Sequence, residues 1–150
     1  MKTDLTVNLI STADCLPLRS FVLRRGQPFD QCTFKEDNYD STFHLGTQFN
    51  GKIISIGTFI KNSLPQFPWL KNSYQLRGMA TDPDARGLGA GQLLIHKAES
   101  ILKEKSCELL WFNAREKAFL FYEKSGYIEL DGVITINDFG PHKVMYKELR

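Results

Sequence analysis

The period of the hydrophobic pattern switches back and forth along this chain between two residues and roughly three and a half, and the switches delimit its elements. "LTVNLI" (5–10) alternates apolar and polar side chains as a half-buried strand does. "ADCLPLRSFVLRR" (13–25) changes to helical spacing at Leu16, Val22 and Leu23, with Pro17 near its start and Gly26 as its stop. Arg24 to Asp40 shows no period and predicts a long loop, a kind of segment that is usually functional or mobile. "STFHLGTQFNGKIISIGTFIK" (41–61) consists of two alternating runs around Asn50-Gly51, which predicts a β-hairpin closed by a type I′ turn. "SYQLRGMAT" (73–81) reads as another strand, and "LGAGQLLIHKAESILKEK" (88–105) as a helix with Leu94, Ala98, Ile101 and Leu102 on one stripe. "CELLWFN" (107–113) is almost wholly apolar, as a strand buried on both faces is. "REKAFLFYEKS" (115–125) reads as a helix closed by Gly126, and helical spacing sets Ala114, Ala118 and Tyr122 four apart on one face. "YIELDGVITI" (127–136) and "HKVMYKEL" (142–149) are the final strands. The order β-α-β-β-β-α-β-α-β-β predicts an α/β (α+β) fold, a mixed sheet with helices on its faces.

Composition narrows this picture. With 150 residues, 42% apolar and 24% charged, the chain is expected to form one domain, 1–150, and to bury about two-thirds of its unfolded surface. Nineteen basic against seventeen acidic residues leave a net charge of +2, which argues against nucleic acid or an acidic membrane surface as the main partner. Cys15, Cys32 and Cys107 form no C-x-x-C pair, so neither a disulfide framework nor a zinc ribbon is expected. His44, His96 and His142 show no metal-ligand spacing, and no metal is expected. The beginning of the chain has no signal-like apolar stretch, and no window approaches the length of a membrane span, so a soluble cytoplasmic protein is expected.

Candidate chemistry concentrates between Gly78 and Gln92. Gly78 interrupts a strand that should be central, where glycine often marks a bulge or a close approach to the backbone. "RGLGAGQLL" (86–94) fits neither common phosphate motif: G-x-G-x-x-G fails because Gln92 and Leu94 stand where a third small residue belongs, and no Gly-Lys-Ser/Thr occurs. What survives is physical. Successive glycines let backbone N–H groups converge, the following helix adds the positive end of its dipole, and Arg86 adds a cation, so an anion such as a pyrophosphate is favoured there. A glycine-rich turn that merely caps a helix is the alternative.

Arg86, Gly89 and Gly91, after a strand and the Asp82-Pro83 turn, resemble the Q/R-x-x-G-x-G/A signature of the GNAT superfamily of N-acetyltransferases. Asn113 at a strand end, followed by Phe121, Tyr122, Lys124, Gly126 and Tyr127, resembles a second segment of that family. The match covers roughly residues 74–127, in the family's order and spacing. The resemblance implies a mixed, mostly antiparallel central sheet with helices on both faces, splayed by a bulge between the fourth and fifth strands, where the pantetheine arm of acetyl-CoA enters. Gly78 would seat that bulge. The main chain of Met79, Ala80 and Thr81 would bind pantetheine, with one N–H polarising the thioester carbonyl, and Arg86, Gly87, Leu88, Gly89, Ala90, Gly91 and Gln92 would hold the pyrophosphate. Asn113, Phe121 and Lys124 would contact the cofactor, and Tyr122 would protonate the leaving thiolate. The implied reaction is transfer of an acetyl group from acetyl-CoA to a primary amine by direct attack in a ternary complex.

Where many members carry a basic carboxylate, this chain has Arg77, which cannot act as a base. Either another group is the base, with His44 and His142 as the candidates, or the amine arrives neutral; Arg77 itself either binds an acidic part of the acceptor or forms a structural ion pair. Asp30, Glu36, Asp37, Asp40 and Asp138 are acids that could draw an ammonium, and Phe67 and Trp69 form either a substrate rim or a partner patch. Small amine, amino acid, peptide and protein lysine all stay open as acceptors, and so does a homodimer. Two other classes are weighed: a noncatalytic acyl-CoA-binding sensor, which the arginine at position 77 favours, and a protein-interaction module.

Overall fold

The structure, a computed structural model, describes residues 4–135 and 141–149. The elements follow the expected order: β1 (Leu5–Ile10), α1 (Thr12–Leu18), β2 (Phe43–Phe49), β3 (Lys52–Lys61), β4 (Ser73–Thr81), α2 (Ala90–Glu104), β5 (Leu109–Arg115), α3 (Phe119–Lys124), β6 (Ile128–Thr135) and β7 (Pro141–Glu148). Among the described residues seven strands form one sheet in the order β1-β2-β3-β4-β5-β7-β6. The sheet is mixed: β1–β2, β2–β3, β5–β7 and β6–β7 pair antiparallel, and β4–β5 pair parallel. By contacts the chain forms two compact units, Met1–Ile60 with Leu76–Ile101, and Lys61–Gln75 with Leu102–Arg150.

In the first unit the hairpin forms as its turn dictates, with Asn50 and Gly51 both at positive φ and Phe49 paired with Lys52. Its ladder slips at Ile54, since Gln48 faces Ile53 while Thr47 faces Ser55. A capping box starts α1: the Ser11 hydroxyl accepts the Asp14 N–H, and the Asp14 carboxylate accepts the Ser11 N–H, both at 3.1 Å. Pro17 removes a helical donor inside α1, and the chain widens from Arg19 to Leu23 into a π-helical turn instead of continuing to residue 25 as the spacing predicts. Arg19 turns inward from that segment and is almost fully buried. Residues 24–40 are consequently an anchored loop, holding a short 3-10 turn at Phe29–Gln31 and tied to Arg19 through the Cys32 carbonyl at 3.0 Å.

Helices cover both faces of β4. A Cβ placed on Gly57 would lie 3.2 Å from both Leu76 Cδ1 and Leu94 Cδ2 and 3.5 Å from Met79 Sδ, so Leu76 and Met79 share the face that receives α2. Ala80 packs instead with Cys15, Leu18 and Ile56, on the face that receives α1.

The second unit is built on β5, whose Leu109, Leu110, Trp111 and Phe112 are all buried, as a strand covered on both faces requires. It pairs with Ser73–Gln75 of β4 along one edge and with β7 along the other. Leu64, Leu70, Leu109 and Trp111 form its core with Phe67, Val144 and Tyr146, and the Trp111 indole donates to the Asn62 carbonyl at 2.8 Å. The helix expected over 115–125 is shorter: Glu116–Ala118 form a 3-10 turn and α3 begins at Phe119. Ala114 belongs to β5, so Ala114, Ala118 and Tyr122 do not share a helix face; the ring stack described below, not a helical stripe, directs Tyr122. Asp138 lies outside the described residues.

Candidate active site

Leu76 and Met79 are three apart, whereas residues on one face of a regular strand differ by an even number. The extra residue sits at Arg77-Gly78, where Gly78 has φ +64°. A Cβ there would lie 3.0 Å from Phe34 Cε2 and 3.1 Å from its Cζ. The close approach that the glycine permits is thus made by a ring of this chain.

Downstream of β4 the chain is braced before the glycines. Asp82 N–H donates to the Ile54 carbonyl at 2.8 Å, and the Asp82 carboxylate accepts from Asp84 N–H at 3.0 Å, which holds that carboxyl below its ordinary range. Pro83–Ala85 form a 3-10 turn with proline at its start, and Arg86 is extended. Gly87 and Gly89 follow with φ +88° and +80°, and a Cβ on either would meet nothing within 4 Å. Their left-handed backbone is the reason for glycine here, not crowding by the protein. The first helical bond at this end runs from Leu93 N–H to the Gly89 carbonyl at 3.0 Å, so the N–H groups of Ala90, Gly91 and Gln92 precede the helical ladder. No acid stands in that first turn, and the Ala90 carbonyl is pinned by the Thr47 hydroxyl at 2.9 Å. A rigid start of a fifteen-residue helix therefore presents a positive dipole end and open N–H groups beside an arginine.

In the second unit Tyr122 is buried with its ring centroid 4.1 Å from that of Phe112, which in turn lies 4.9 Å from the Tyr127 ring. Burial alone pushes its phenol well above the ordinary tyrosine range, so the hydroxyl stays protonated at neutral pH. Asn113 is an exposed residue of β5 paired with Val144, Phe121 is part-exposed against the Tyr122 ring, and Lys124 is exposed at the end of α3. Phe67 packs edge-on against Tyr146, and with Trp69, Leu70 and Ile128 lines a shallow groove of about 440 Å³.

The acids and histidines resolve differently. Asp37 is buried and pairs bidentately with Arg19, both hydrogen bonds being 2.8 Å. Burial pushes its carboxyl up, but the Arg19 guanidinium and the Phe34 N–H outweigh this and hold it below the usual carboxylate range. Arg19 Nη2 also donates to Thr58 Oγ1 at 2.8 Å, and His44 Nδ1 lies 2.8 Å from the same oxygen. His44 Nε2 lies 3.1 Å from Thr12 Oγ1 and 3.2 Å from the Asp37 carbonyl. Burial lowers the His44 pKa despite the nearby Asp37, so His44 is a neutral core residue with both ring nitrogens engaged, a poor candidate for the missing base. His142 is buried in β7. Arg77 forms the ion pair weighed above: its Nη1 lies 3.2 Å from Glu36 Oε1, and its guanidinium stacks over Phe34 at 4.4 Å. Burial pushes the Cys15 thiol up to about 11 and raises that of Cys107, so neither is a thiolate nucleophile at neutral pH. Sequence reasoning missed Arg19, Phe34 and Thr58; the one signal was Arg19 standing between the apolar positions Leu16, Val22 and Leu23.

A mixed sheet bulged at its fourth strand is followed by a glycine turn that opens a helix, an arrangement whose backbone N–H groups and dipole end favour an anion. The model of the acetyltransferase (GNAT) family matches residues 13–127. The uncharacterised N-acetyltransferase YitI of Bacillus subtilis (strain 168) is 40% identical over 146 residues, which span 97% of each chain. The fold is shared with Escherichia coli ElaA (TM-score 0.76, 18% identity, 97% of this chain and 100% of that one). It is shared also with an aminoglycoside 6'-N-acetyltransferase complexed with coenzyme A (TM-score 0.77, 11% identity, 97% of both chains). The chain belongs to the GNAT acetyltransferase family, and so to the acetyl-CoA-dependent N-acetyltransferases.

Proposed function

We propose that this chain transfers the acetyl group of acetyl-CoA to a primary amine by direct attack within a ternary complex. The observation that carries the reading is the turn at Gly87 and Gly89, left-handed and open, leading into helix N–H groups that no acid neutralises. The N–H groups from Arg86 through Gln92, that is Arg86, Gly87, Leu88, Gly89, Ala90, Gly91 and Gln92, hold the pyrophosphate. The backbone of Met79, Ala80 and Thr81, just past the bulge, takes pantetheine, and one of its N–H groups stabilises the oxyanion that forms at the thioester carbonyl. Asn113, Phe121 and Lys124 contact the remainder of the cosubstrate.

Tyr122 assists departure of the sulfur. Burial makes its phenol a weaker acid than usual, so it keeps its proton and contributes a hydrogen bond that strengthens as charge develops on sulfur, while the proton that ends on the thiol is the one the amine gives up. Burial holds the Cys15 and Cys107 thiols protonated, so neither serves as the nucleophile of an acetyl-cysteine thioester route. The test is release of free thiol from acetyl-CoA across a panel of amines, with mass spectrometry of the acetylated product. Thiol release that is independent of any amine, or none with every amine while acetyl-CoA binds, refutes transfer.

A further inference from the structure

The four residues Phe34 to Asp37 supply one ring and two carboxylates to two arginines. Arg19 and Arg77 lie with their guanidinium carbons 3.8 Å and 4.4 Å from the centroid of the Phe34 ring. The inner pair, Arg19 with Asp37, is sealed: the side chains are 1% and 2% exposed and share two hydrogen bonds. The outer pair, Arg77 with Glu36, differs. It rests on one contact of 3.2 Å, and its side chains are 37% and 26% exposed. The sealed pair, with the Phe34 N–H donating to Asp37 at 2.7 Å, fixes the segment that presents Glu36.

We propose that Arg77 and Glu36 together recognise the acceptor, and that the acceptor is a zwitterion whose amine and carboxylate lie on one carbon, the headgroup of a free α-amino acid. This rests on the reading above, that an amine is acetylated beside β4. Arg77 stands two residues before Met79, across the bulge, within reach of an amino acid whose amine faces the thioester. The guanidinium has five N–H donors and, among the described residues, offers one to Glu36; stacking on Phe34 holds its plane and leaves donors for a carboxylate to take in a two-pronged contact. Glu36 then faces the ammonium. A simple amine gains little from a pair whose charges cancel, because the arginine repels what the glutamate attracts. A dipolar headgroup laid antiparallel on the pair is attracted at both ends. A phosphate in place of the carboxylate brings a larger negative charge against Glu36, which disfavours it.

The experiment uses the full chain with saturating acetyl-CoA and matched acceptors: free amino acids, their carboxamides, and the amines lacking the carboxyl group. The parent is expected to favour each free amino acid over its carboxamide by about tenfold or more in kcat/KM, the size of a charge-assisted hydrogen bond. Arg77→Lys, which keeps the cation and loses the fork, should reduce that preference to under about threefold with acetyl-CoA affinity and melting temperature retained. Glu36→Gln should raise KM for both members of each pair. Equal rates for amino acid and carboxamide in the parent, or an undiminished preference in Arg77→Lys, overturn this inference and leave acetyl transfer standing. No thiol release with any amine overturns both.

Discussion

Replacing Gly89 by alanine separates what the glycine does for the fold from what it does for the cosubstrate. At φ +80°, with nothing within 4 Å of the added Cβ, the folded protein loses only the left-handed backbone preference. That costs about 1–2 kcal/mol, or roughly 2–8 °C in melting temperature for a chain of this size. If the turn relaxes, an N–H aimed at the pyrophosphate is lost. A hydrogen bond to a charged group contributes about 1.5–3 kcal/mol, so the Kd for acetyl-CoA should rise roughly 10- to 100-fold. Gly51→Ala is the control, because Gly51 in the β2–β3 turn has φ +77° and equally open space. It should lower the melting temperature by a similar amount and leave acetyl-CoA affinity at the parent value. Isothermal calorimetry and thermal melting of the three proteins supply the comparison. Parent-like affinity in Gly89→Ala, or equal weakening in Gly51→Ala, would refute assignment of the pyrophosphate to this turn.

Tyr122→Phe keeps the ring stack on Phe112 and removes the hydroxyl, so turnover should fall about 10²-fold while acetyl-CoA affinity and melting temperature change little; steady-state rates within about twofold of the parent remove Tyr122 from the mechanism. Asp37→Asn leaves the buried Arg19 without its counter-charge and should destabilise by about 3–5 kcal/mol, seen as a melting temperature lower by about 6–20 °C; a loss under about 1 kcal/mol would show that the pair does not hold the loop. His44 has a lowered folded pKa, so below about pH 6.5 the unfolded chain binds more protons and stability falls as pH falls. His44→Gln should flatten the melting temperature over that window, and an unchanged pH profile would place the acid sensitivity elsewhere.

The element order was legible in the sequence because each element's pattern is local: alternation for β1 and the hairpin, a 3.6-residue stripe for α2, and a continuous apolar run for β5. The glycine turn was legible for the same reason, since the left-handed positions at Gly87 and Gly89 are properties of single residues. The limits of α1 and α3 were not, because the π turn after Pro17 and the 3-10 turn before Phe119 depend on what each segment packs against. Nor was the environment of Arg77. Whether an arginine pairs, and with which acid, depends on residues far apart in sequence: Glu36 reaches it across 41 positions, and Asp37 reaches Arg19 across 18. Sequence alone thus determined the strand and helix order and the left-handed glycine turn before α2, through short-range backbone preferences. Only the tertiary structure decided which charges are sealed and which stay part-exposed, because burial and pairing are set by elements brought together when the chain folds.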